Sequence, residues 1–395
     1  MRILHVYRTY FPDSQGGLEE VIRQICLNSQ AHGVESRVFC LSSDADPKVI
    51  RRPEGRVYRA PRDFEVASCS MSRTALPMFK RLVDWADVVH YHFPWPFADF
   101  LHFAAQVNKP TVLTYHSDIV RQRTLGKLYS PLMDQFLSSV DRIVCTSPNY
   151  FATSDVLSKF PHKVEIVPIG LNEDSYTVPS ATERAEVEAE FGSNFFLFVG
   201  VLRYYKGLHI LLDAMANAPY DVVIVGSGPT EKELRAQAEK QGLDNVIFAG
   251  YVDDKTKVSL FEHCRGVVFP SYLRSEAFGV TLLEGAMYGN PLISTEVGSG
   301  TSHVNVDGKT GYVVAPGSSA QLREAMDKLV ANPDIAALFG RQARQRYTSL
   351  FTGELMGARY VSVYQKLLKV EVTSMHQASH IADRRLDQHS DSIYR

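Results

Sequence analysis

The chain has 395 residues, of which 45% are apolar, and its formal net charge is -2 at pH 7. This length predicts about two globular domains with sizeable cores, and the near-neutral charge gives no reason to expect a nucleic-acid partner. No apolar run approaches the roughly 20 residues that a membrane helix needs, which predicts a chain that is soluble or attached to a membrane surface.

The cysteines and the first residues indicate a cytoplasmic protein. Five cysteines are scattered along the chain, mostly within apolar segments, and none forms a C-x-x-C pair, a pattern typical of reduced thiols. The apolar run that follows Met1 is short and charged residues come soon after it, which predicts a strand and not a signal peptide.

The first elements predict a parallel α/β sheet. An apolar run at 3–7 is followed by Gly16 and Gly17, then by a helix at 18–32 and a strand at 36–41. A strand-helix-strand start implies right-handed crossovers. The two glycines lack Cβ atoms, so their backbone could approach a ligand where the first strand ends; the alternative is an ordinary turn.

A basic segment with neighbouring aromatic residues follows at 51–97. Its side chains would suit an anionic membrane or a lipid-linked phosphate if the aromatic rings are exposed. The alternative is an ordinary solvated face, and the sequence does not decide between them. The basic residues are Arg51, Arg52, Arg56, Arg59, Arg62, Arg73, Lys80 and Arg81, and the aromatic residues are Phe79, Trp85, Phe93, Trp95 and Phe97.

His116 directly follows the second of two predicted strands, at 88–92 and 111–115. A lone histidine is more often structural, but this one ends a strand on the crevice side, and an imidazole can donate to a sugar hydroxyl or a phosphate near neutral pH. We therefore place His116 in a site. Arg121, Arg123 and Lys127 could bind an acceptor phosphate or could be surface charges.

A polar stretch at 173–194 separates two α/β units, so we place a domain boundary at 172. The second unit begins with a buried strand at 195–199, and Arg203 and Lys206 follow it. A forked guanidinium and a mobile ammonium three residues apart could hold two phosphates. Further strands end at Gly226 and just before Tyr251 and Val252.

The segment 275–284 carries two carboxylates, Glu276 and Glu284, eight positions apart. A helix beginning near Gly279 would leave its first backbone N–H groups, up to Val280 and Thr281, unpaired. Those donors and the helix dipole suit a phosphate. Beyond this segment we predict strands at 290–295 and 311–314, helical structure at 320–347, an amphipathic helix at 352–369 and a polar, flexible tail at 370–395.

Taken together, these motifs resemble glycosyltransferase family 4, whose members are retaining enzymes that use nucleotide sugars. Glu276 and Glu284 match the E-x(7)-E signature of that family, and the other motifs occur in the family's order over residues 1–365. They are Gly16-Gly17, His116, Arg203 with Lys206, Gly226 and Gly250-Tyr251-Val252.

The resemblance implies the GT-B architecture, an α/β fold with two Rossmann-like domains that face a central cleft. It implies an acceptor-side domain at 1–172, a nucleotide-sugar-binding domain at 173–351 and a helix at 352–369 that crosses back to the first domain.

The resemblance also assigns roles to site residues. Glu276 would orient the hydroxyls of the donor sugar, Glu284 would bind the ribose, and His116 would face both donor and acceptor. Arg203, Lys206 and the N–H groups of residues 279–281 would stabilise the departing diphosphate. Gly16, Gly17, Gly226, Tyr251 and Val252 would complete the donor site.

No cofactor or metal is expected, and the D-x-D at Asp44 and Asp46 is interpreted as chance. Because the segment 7–19 looks like bacterial enzymes that build mannose- or rhamnose-containing polysaccharides, we expect a GDP-mannose or GDP-deoxyhexose donor and a lipid-linked glycan acceptor at the inner face of the membrane. A UDP-sugar donor is the first alternative. A sugar-nucleotide hydrolase or epimerase and a non-catalytic scaffold are two others. The oligomeric state stays open.

Overall fold

A computed structural model describes residues 1–66, 69–119 and 123–369 of the chain. Its first half contains an eight-stranded sheet with the strand order β10-β9-β8-β7-β1-β2-β4-β3, in which only the β3–β4 pair is antiparallel. A small hairpin, β5–β6, stands beside it. The strands are β1 Arg2–Val6, β2 Glu35–Ser42, β3 Val49–Arg52, β4 Gly55–Pro61, β5 Phe64–Val66, β6 Cys69–Met71, β7 Val88–Phe93, β8 Thr111–Tyr115, β9 Arg142–Cys145 and β10 Val164–Ile166.

Helices connect these strands because apolar residues recur at helical spacing between them. In α1, for example, Val21, Ile22 and Ile25 are fully or almost fully buried. The helices are α1 Gly17–Gln30, α2 Ala75–Trp85, α3 Pro96–Ala105, α4 Arg123–Ser139 and α5 Pro148–Thr153.

The second half contains a six-stranded parallel sheet with the order β13-β12-β11-β14-β15-β16. Its strands are β11 Phe196–Val199, β12 Val222–Val225, β13 Val246–Gly250, β14 Gly266–Phe269, β15 Leu292–Thr295 and β16 Gly311–Val314. Its helices are α6 Ala181–Phe191, α7 Leu208–Met215, α8 Glu231–Gln241, α9 Asp254–His263, α10 Val280–Met287, α11 Thr301–Val304, α12 Ser319–Ala331 and α13 Pro333–Leu350.

Both sheets have a point where the strand order reverses, β1 beside β7 in the first and β11 beside β14 in the second. Ligands of open α/β sheets bind beyond the carboxyl ends of the strands at such points. The predicted site residues Gly16, His116, Arg203, Glu276 and Tyr251 all follow carboxyl ends of strands.

The last described helix, α14, spans 353–369 and crosses back to the first domain. The Tyr364 hydroxyl lies 2.8 Å from Nδ1 of His90 on β7, and the Tyr360 hydroxyl lies 2.9 Å from Oγ1 of Thr114 on β8. Both tyrosines are buried. The first domain is therefore completed by the C-terminal part of the chain.

The helical structure predicted at 320–347 is confirmed, and it is divided into two helices, α12 and α13. Asn332 between them has non-helical dihedral angles, and Pro333 begins α13. Proline has no N–H to continue a preceding helix, and it disfavours helical geometry in the residue before it.

The aromatic rings beside the basic segment, whose exposure the sequence left open, are mostly buried. Phe79, Phe93, Trp95 and Phe97 are buried in the core of the first domain, because their rings pack under the sheet. Arg59 is likewise buried, in an ion pair of 2.6 Å with Asp13. The basic residues that remain exposed are Arg51, Arg56, Arg62, Arg73, Lys80 and Arg81.

The tail at 370–395, Arg121 and the side chains of Arg123 and Lys127 lie outside the described part of the structure, so the predictions made for them stay predictions. None of the described helices has the length and apolar character required to cross a bilayer.

Candidate active site

The centre of the site is the loop that connects β14 to α10. Gly279 caps α10 with a left-handed conformation (φ 86°), and a Cβ at this position would lie 3.1–3.4 Å from Leu282, Phe269 and Thr301. Both facts favour glycine. In the described chain the N–H groups of Gly279, Val280 and Thr281 have no backbone acceptor. The predicted helix start is confirmed, and its free donors suit an anion.

Glu276 precedes this helix and forms a buried ion pair with Lys206. The Lys206 ammonium lies 2.6 Å from Oε2 of Glu276, and the Ser271 hydroxyl donates to the same oxygen at 3.1 Å. The side chains of Lys206 and Glu276 are only 12% and 10% exposed. Two residues from different strand ends, predicted separately, are thus brought into direct contact.

A tight turn after β11 positions Lys206. Gly207 follows it with φ 71°, and a Cβ there would lie 2.0 Å from the carbonyl oxygen of Pro270. Only glycine allows this approach between the turn and the end of β14. The Lys206 ammonium is also 4.6 Å from the centre of the Phe269 ring.

Arg203 begins the same turn but is exposed, and it makes no ion pair with a described residue. It lines an open hollow on the surface together with Tyr204, His209, Glu233 and Tyr272. Its positive charge also affects Tyr7 in the first domain. Burial raises the pKa of the Tyr7 hydroxyl to about 12, and the charge of Arg203 is among those that lower it. The guanidinium is therefore available to a ligand near the cleft.

Glu284 lies in the second turn of α10 and is buried. Its Oε1 accepts hydrogen bonds from the Tyr176 hydroxyl and the Lys257 ammonium, both at 3.1 Å. Burial alone lowers the pKa of Lys257, but the carboxylates of Glu284 and Asp254 outweigh it and raise that pKa above its usual value. Sequence reasoning missed Tyr176 and Lys257, since they come from segments remote from α10. Contact of Glu284 with a ribose stays a prediction.

The loop after β1 lies against the start of α10. A Cβ on Gly17 would be 3.6 Å from Cγ2 of Val280, and the Tyr251 hydroxyl donates to Oε1 of Gln15 at 3.1 Å. The structure thus brings Gly16, Gly17 and Tyr251 to the same edge of the cleft as α10.

Gly226 has a packing reason of its own. Its φ is 123°, and a Cβ would lie 2.1 Å from the carbonyl oxygen of Gly200. The neighbour of Tyr251, Val252, is partly buried and packs on the core of the second domain. Ligand contacts of Gly226 and Val252 stay predictions.

His116 is buried at the end of β8. Its Nε2 lies 3.0 Å from Nδ1 of His92, a contact that sequence reasoning missed. Burial lowers the pKa of His116 to about 3, so the imidazole is neutral at physiological pH. Asp118, two residues further on, pairs with Arg274 of the second domain at 2.8 Å. The His116 loop is thereby connected to the loop that carries Glu276.

Comparisons with known proteins show the family to which the chain belongs. The family described as "Glycosyltransferase Family 4" matches residues 15–175, and the family described as "Glycosyl transferases group 1" matches residues 180–346. The chain is 54% identical over 353 residues to D-rhamnosyltransferase WbpZ of Pseudomonas aeruginosa, a match that covers 89% of this chain and 92% of that protein. The chain belongs to glycosyltransferase family 4.

Two further comparisons support the family 4 assignment and the fold. The O-antigen chain mannosyltransferase C of Escherichia coli is 48% identical over 370 residues, which cover 93% of this chain and 99% of that protein. The structure of sucrose-phosphate synthase from Thermosynechococcus elongatus superposes with a TM-score of 0.77 over 93% of this chain and 99% of that chain, at 23% identity. The predicted GT-B architecture, with a C-terminal helix that returns to the first domain, is confirmed.

Proposed function

We propose that this family 4 glycosyltransferase transfers a mannose or a related deoxyhexose from a GDP-sugar to a lipid-linked glycan in O-antigen synthesis, with retention of the anomeric configuration. The names of the two bacterial relatives support the sugar class and the pathway. The observation that carries the proposal is the Lys206–Glu276 pair beside the free N–H groups of α10.

The chemistry follows from where charge develops. When the bond between the sugar C1 and the phosphate oxygen breaks, negative charge grows on the leaving diphosphate. We expect Lys206, Arg203 and the N–H groups at 279–281 to stabilise it. These groups supply positive charge from the protein, so we propose that the reaction needs no metal.

Retention can proceed on one face of the sugar. The acceptor oxygen forms a bond to C1 on the side from which the diphosphate leaves, and the proton of the acceptor hydroxyl moves to the departing phosphate oxygen. Glu276 is held by Lys206 and Ser271, which suits a group that orients sugar hydroxyls more than a nucleophile.

The test is saturation-transfer NMR of the full chain with GDP- and UDP-sugars, combined with a transfer assay on a mannose-terminated lipid-linked glycan. We expect GDP-mannose or a GDP-deoxyhexose to bind and to be consumed. Arg203→Ala should weaken binding by about tenfold to a hundredfold, the range for a lost hydrogen bond to a charged group. Arg235→Ala, which removes an exposed guanidinium on α8 that pairs with Glu231, is the control.

Selective binding of a UDP-sugar would overturn the donor while keeping the site. Hydrolysis without an acceptor would favour a sugar-nucleotide hydrolase. No binding of any nucleotide sugar would favour a scaffold and contradict the proposed function.

A further inference from the structure

A row of buried imidazoles leads away from His116 into the first domain. Nε2 of His116 lies 3.0 Å from Nδ1 of His92, and Nε2 of His92 lies 3.1 Å from Nδ1 of His5. The rings are stacked, with centroid distances of 5.3 and 5.4 Å. The three residues belong to adjacent strands, β1 and β7, and to the end of β8.

All three imidazoles are neutral in the folded protein. Burial lowers the pKa of His5 and of His116 to about 3, and burial together with the neighbouring histidines lowers the pKa of His92 well below its usual value. A neutral imidazole has one N–H donor and one bare nitrogen that accepts.

Because each ring has one donor and one acceptor nitrogen, the position of the proton on one ring determines its position on the other two. If His92 donates from Nδ1 to His116, its Nε2 must accept from Nδ1 of His5, so that all three rings carry the proton on Nδ1. If His116 donates from Nε2 instead, all three rings carry the proton on Nε2. The three tautomers are therefore coupled, and His116 presents Nδ1 as a donor in the first case and as an acceptor in the second.

We propose that His92, and through it His5, are positioning residues that fix the tautomer of His116 and so decide whether its other nitrogen, Nδ1, donates or accepts a hydrogen bond toward a ligand. The role of His116 toward the sugar rests on the proposed function; the coupling of the tautomers does not. The orientation of a reactive histidine by a hydrogen bond to its other nitrogen is a general device of active sites.

A metal ion is the competing explanation for clustered histidines. Ligand nitrogens of His5, His90 and His92 all lie within 4.8 Å of one another. However, both nitrogens of His90 already have hydroxyl partners, Tyr364 at 2.8 Å and Thr114 at 2.7 Å. A bound ion would have to break such contacts, and among the described residues no carboxylate is bonded to the cluster to offset its charge.

The first experiment reads the tautomers directly in the unmodified chain. Long-range ¹H–¹⁵N correlation spectra of the full-length protein, labelled with ¹⁵N-histidine, distinguish Nδ1–H from Nε2–H rings. We expect His5, His92 and His116 to share one tautomer. A mixed set, a doubly protonated ring at pH 7.5, or stoichiometric metal in elemental analysis with metal-shifted resonances would overturn the proposal.

The second experiment tests the consequence for transfer. His92→Phe should lower kcat by about tenfold to a hundredfold, by analogy with the loss of hydrogen-bond partners that orient metal-binding histidines, with the KM for the donor nearly unchanged. His92→Asn should recover part of this loss, because a carboxamide can replace Nδ1 toward His116. In His92→Phe the His116 spectrum should show a changed tautomer.

His90→Phe is the matched control, since His90 is on the same strand and equally buried but stands outside the row. It should lower stability and leave kcat and the His116 tautomer unchanged. Equal losses of kcat in His90→Phe and His92→Phe would overturn the proposal. If the unmodified chain transfers no sugar, the proposed function fails, and the spectra still decide the coupling.

Discussion

Arg274 and Asp118 form an ion pair of 2.8 Å between the two domains. Asp118 also accepts hydrogen bonds from Tyr115 and Ser154. Arg274 additionally donates to the carbonyl oxygen of Gly298 at 2.6 Å. The pair stands two residues from both His116 and Glu276, so it joins the two loops that carry the principal site residues.

Arg274→Ala should lower kcat/KM for transfer by about tenfold to a hundredfold, because small displacements of reacting groups are costly. Asp118→Arg should do the same. The exchanged pair Asp118→Arg with Arg274→Asp should recover part of the loss. Arg184→Ala, which breaks the Arg184–Glu262 pair within the second domain, serves as the control. An exchanged pair no better than the single variants would show that the ion pair does not align the loops.

Lys206→Met should reduce kcat by about a hundredfold to a thousandfold, as the loss of one group that stabilises developing charge usually does. It leaves the buried carboxylate of Glu276 without its cation, so the free energy of unfolding should also fall by about 3 kcal/mol. Transfer assays and urea unfolding measure the two effects. Lys232→Met on the exposed face of α8 should change neither. Normal turnover in Lys206→Met would remove Lys206 from the site.

The buried histidines predict sensitivity to acid. The pKa values of His5 and His116 are lowered from 6.5 to about 3 by burial. Below pH 6.5 the unfolded chain therefore binds protons that the folded chain cannot, and stability is lost progressively between about pH 6.5 and 3. Two such groups lower the free energy of unfolding by about 3 kcal/mol for each unit by which the pH falls.

Urea unfolding at pH 7.5, 6.5 and 5.5 checks this slope. His116→Gln removes one of the two groups, so the dependence of the free energy of unfolding on pH should fall by about half. A free energy of unfolding that stays constant between pH 6.5 and 5.5 would contradict the neutral, buried state of these rings.

We expect the exposed basic residues of the segment 51–97 to contact a membrane surface, although most of the aromatic rings beside them are buried. Arg73, Lys80 and Arg81 are exposed, and the β5–β6 hairpin presents Phe64 and Val66 to solvent, 42% and 52% exposed. We expect co-sedimentation with vesicles that contain anionic lipid and not with neutral vesicles, and we expect it to weaken with salt.

Reversal of the charges of Arg73, Lys80 and Arg81 to glutamate should abolish this co-sedimentation and leave transfer to a soluble acceptor analogue unchanged. Reversal of Lys232 and Lys240, exposed on α8 of the second domain, is the control. Equal binding of both variants to anionic vesicles would place the membrane-binding surface elsewhere.

The strands, and the positions of the residues that we propose to bind phosphate, could be predicted because their signals are local. Apolar runs of four to six residues mark buried strands, and Arg203 and Glu276 lie in the loops that follow two of them, β11 and β14. The imidazole row could not be predicted, since His5, His92 and His116 come together only through strand order and register, such as the pairing of His5 with His90. Local spacing says nothing about which strands become neighbours.

Burial was the other quantity that local patterns did not decide. The sequence left the exposure of Trp95 open, and in the structure its indole N–H donates to the carbonyl oxygen of Ser70 inside the core. Likewise, Glu284 has two partners that lie far apart along the chain. Tyr176 comes from the linker and Lys257 from α9.

The return of α14 means that the first domain is discontinuous in sequence. In its core, the hydroxyl of Tyr364 contacts His90 and the hydroxyl of Tyr360 contacts Thr114. On the ribosome, the first domain can bury those partners only after the second domain has been synthesised. A fragment that ends at residue 172 would therefore leave the side chains of His90 and Thr114 without their tyrosine partners. A fusion of 1–172 to 353–369 through a flexible linker would restore these contacts.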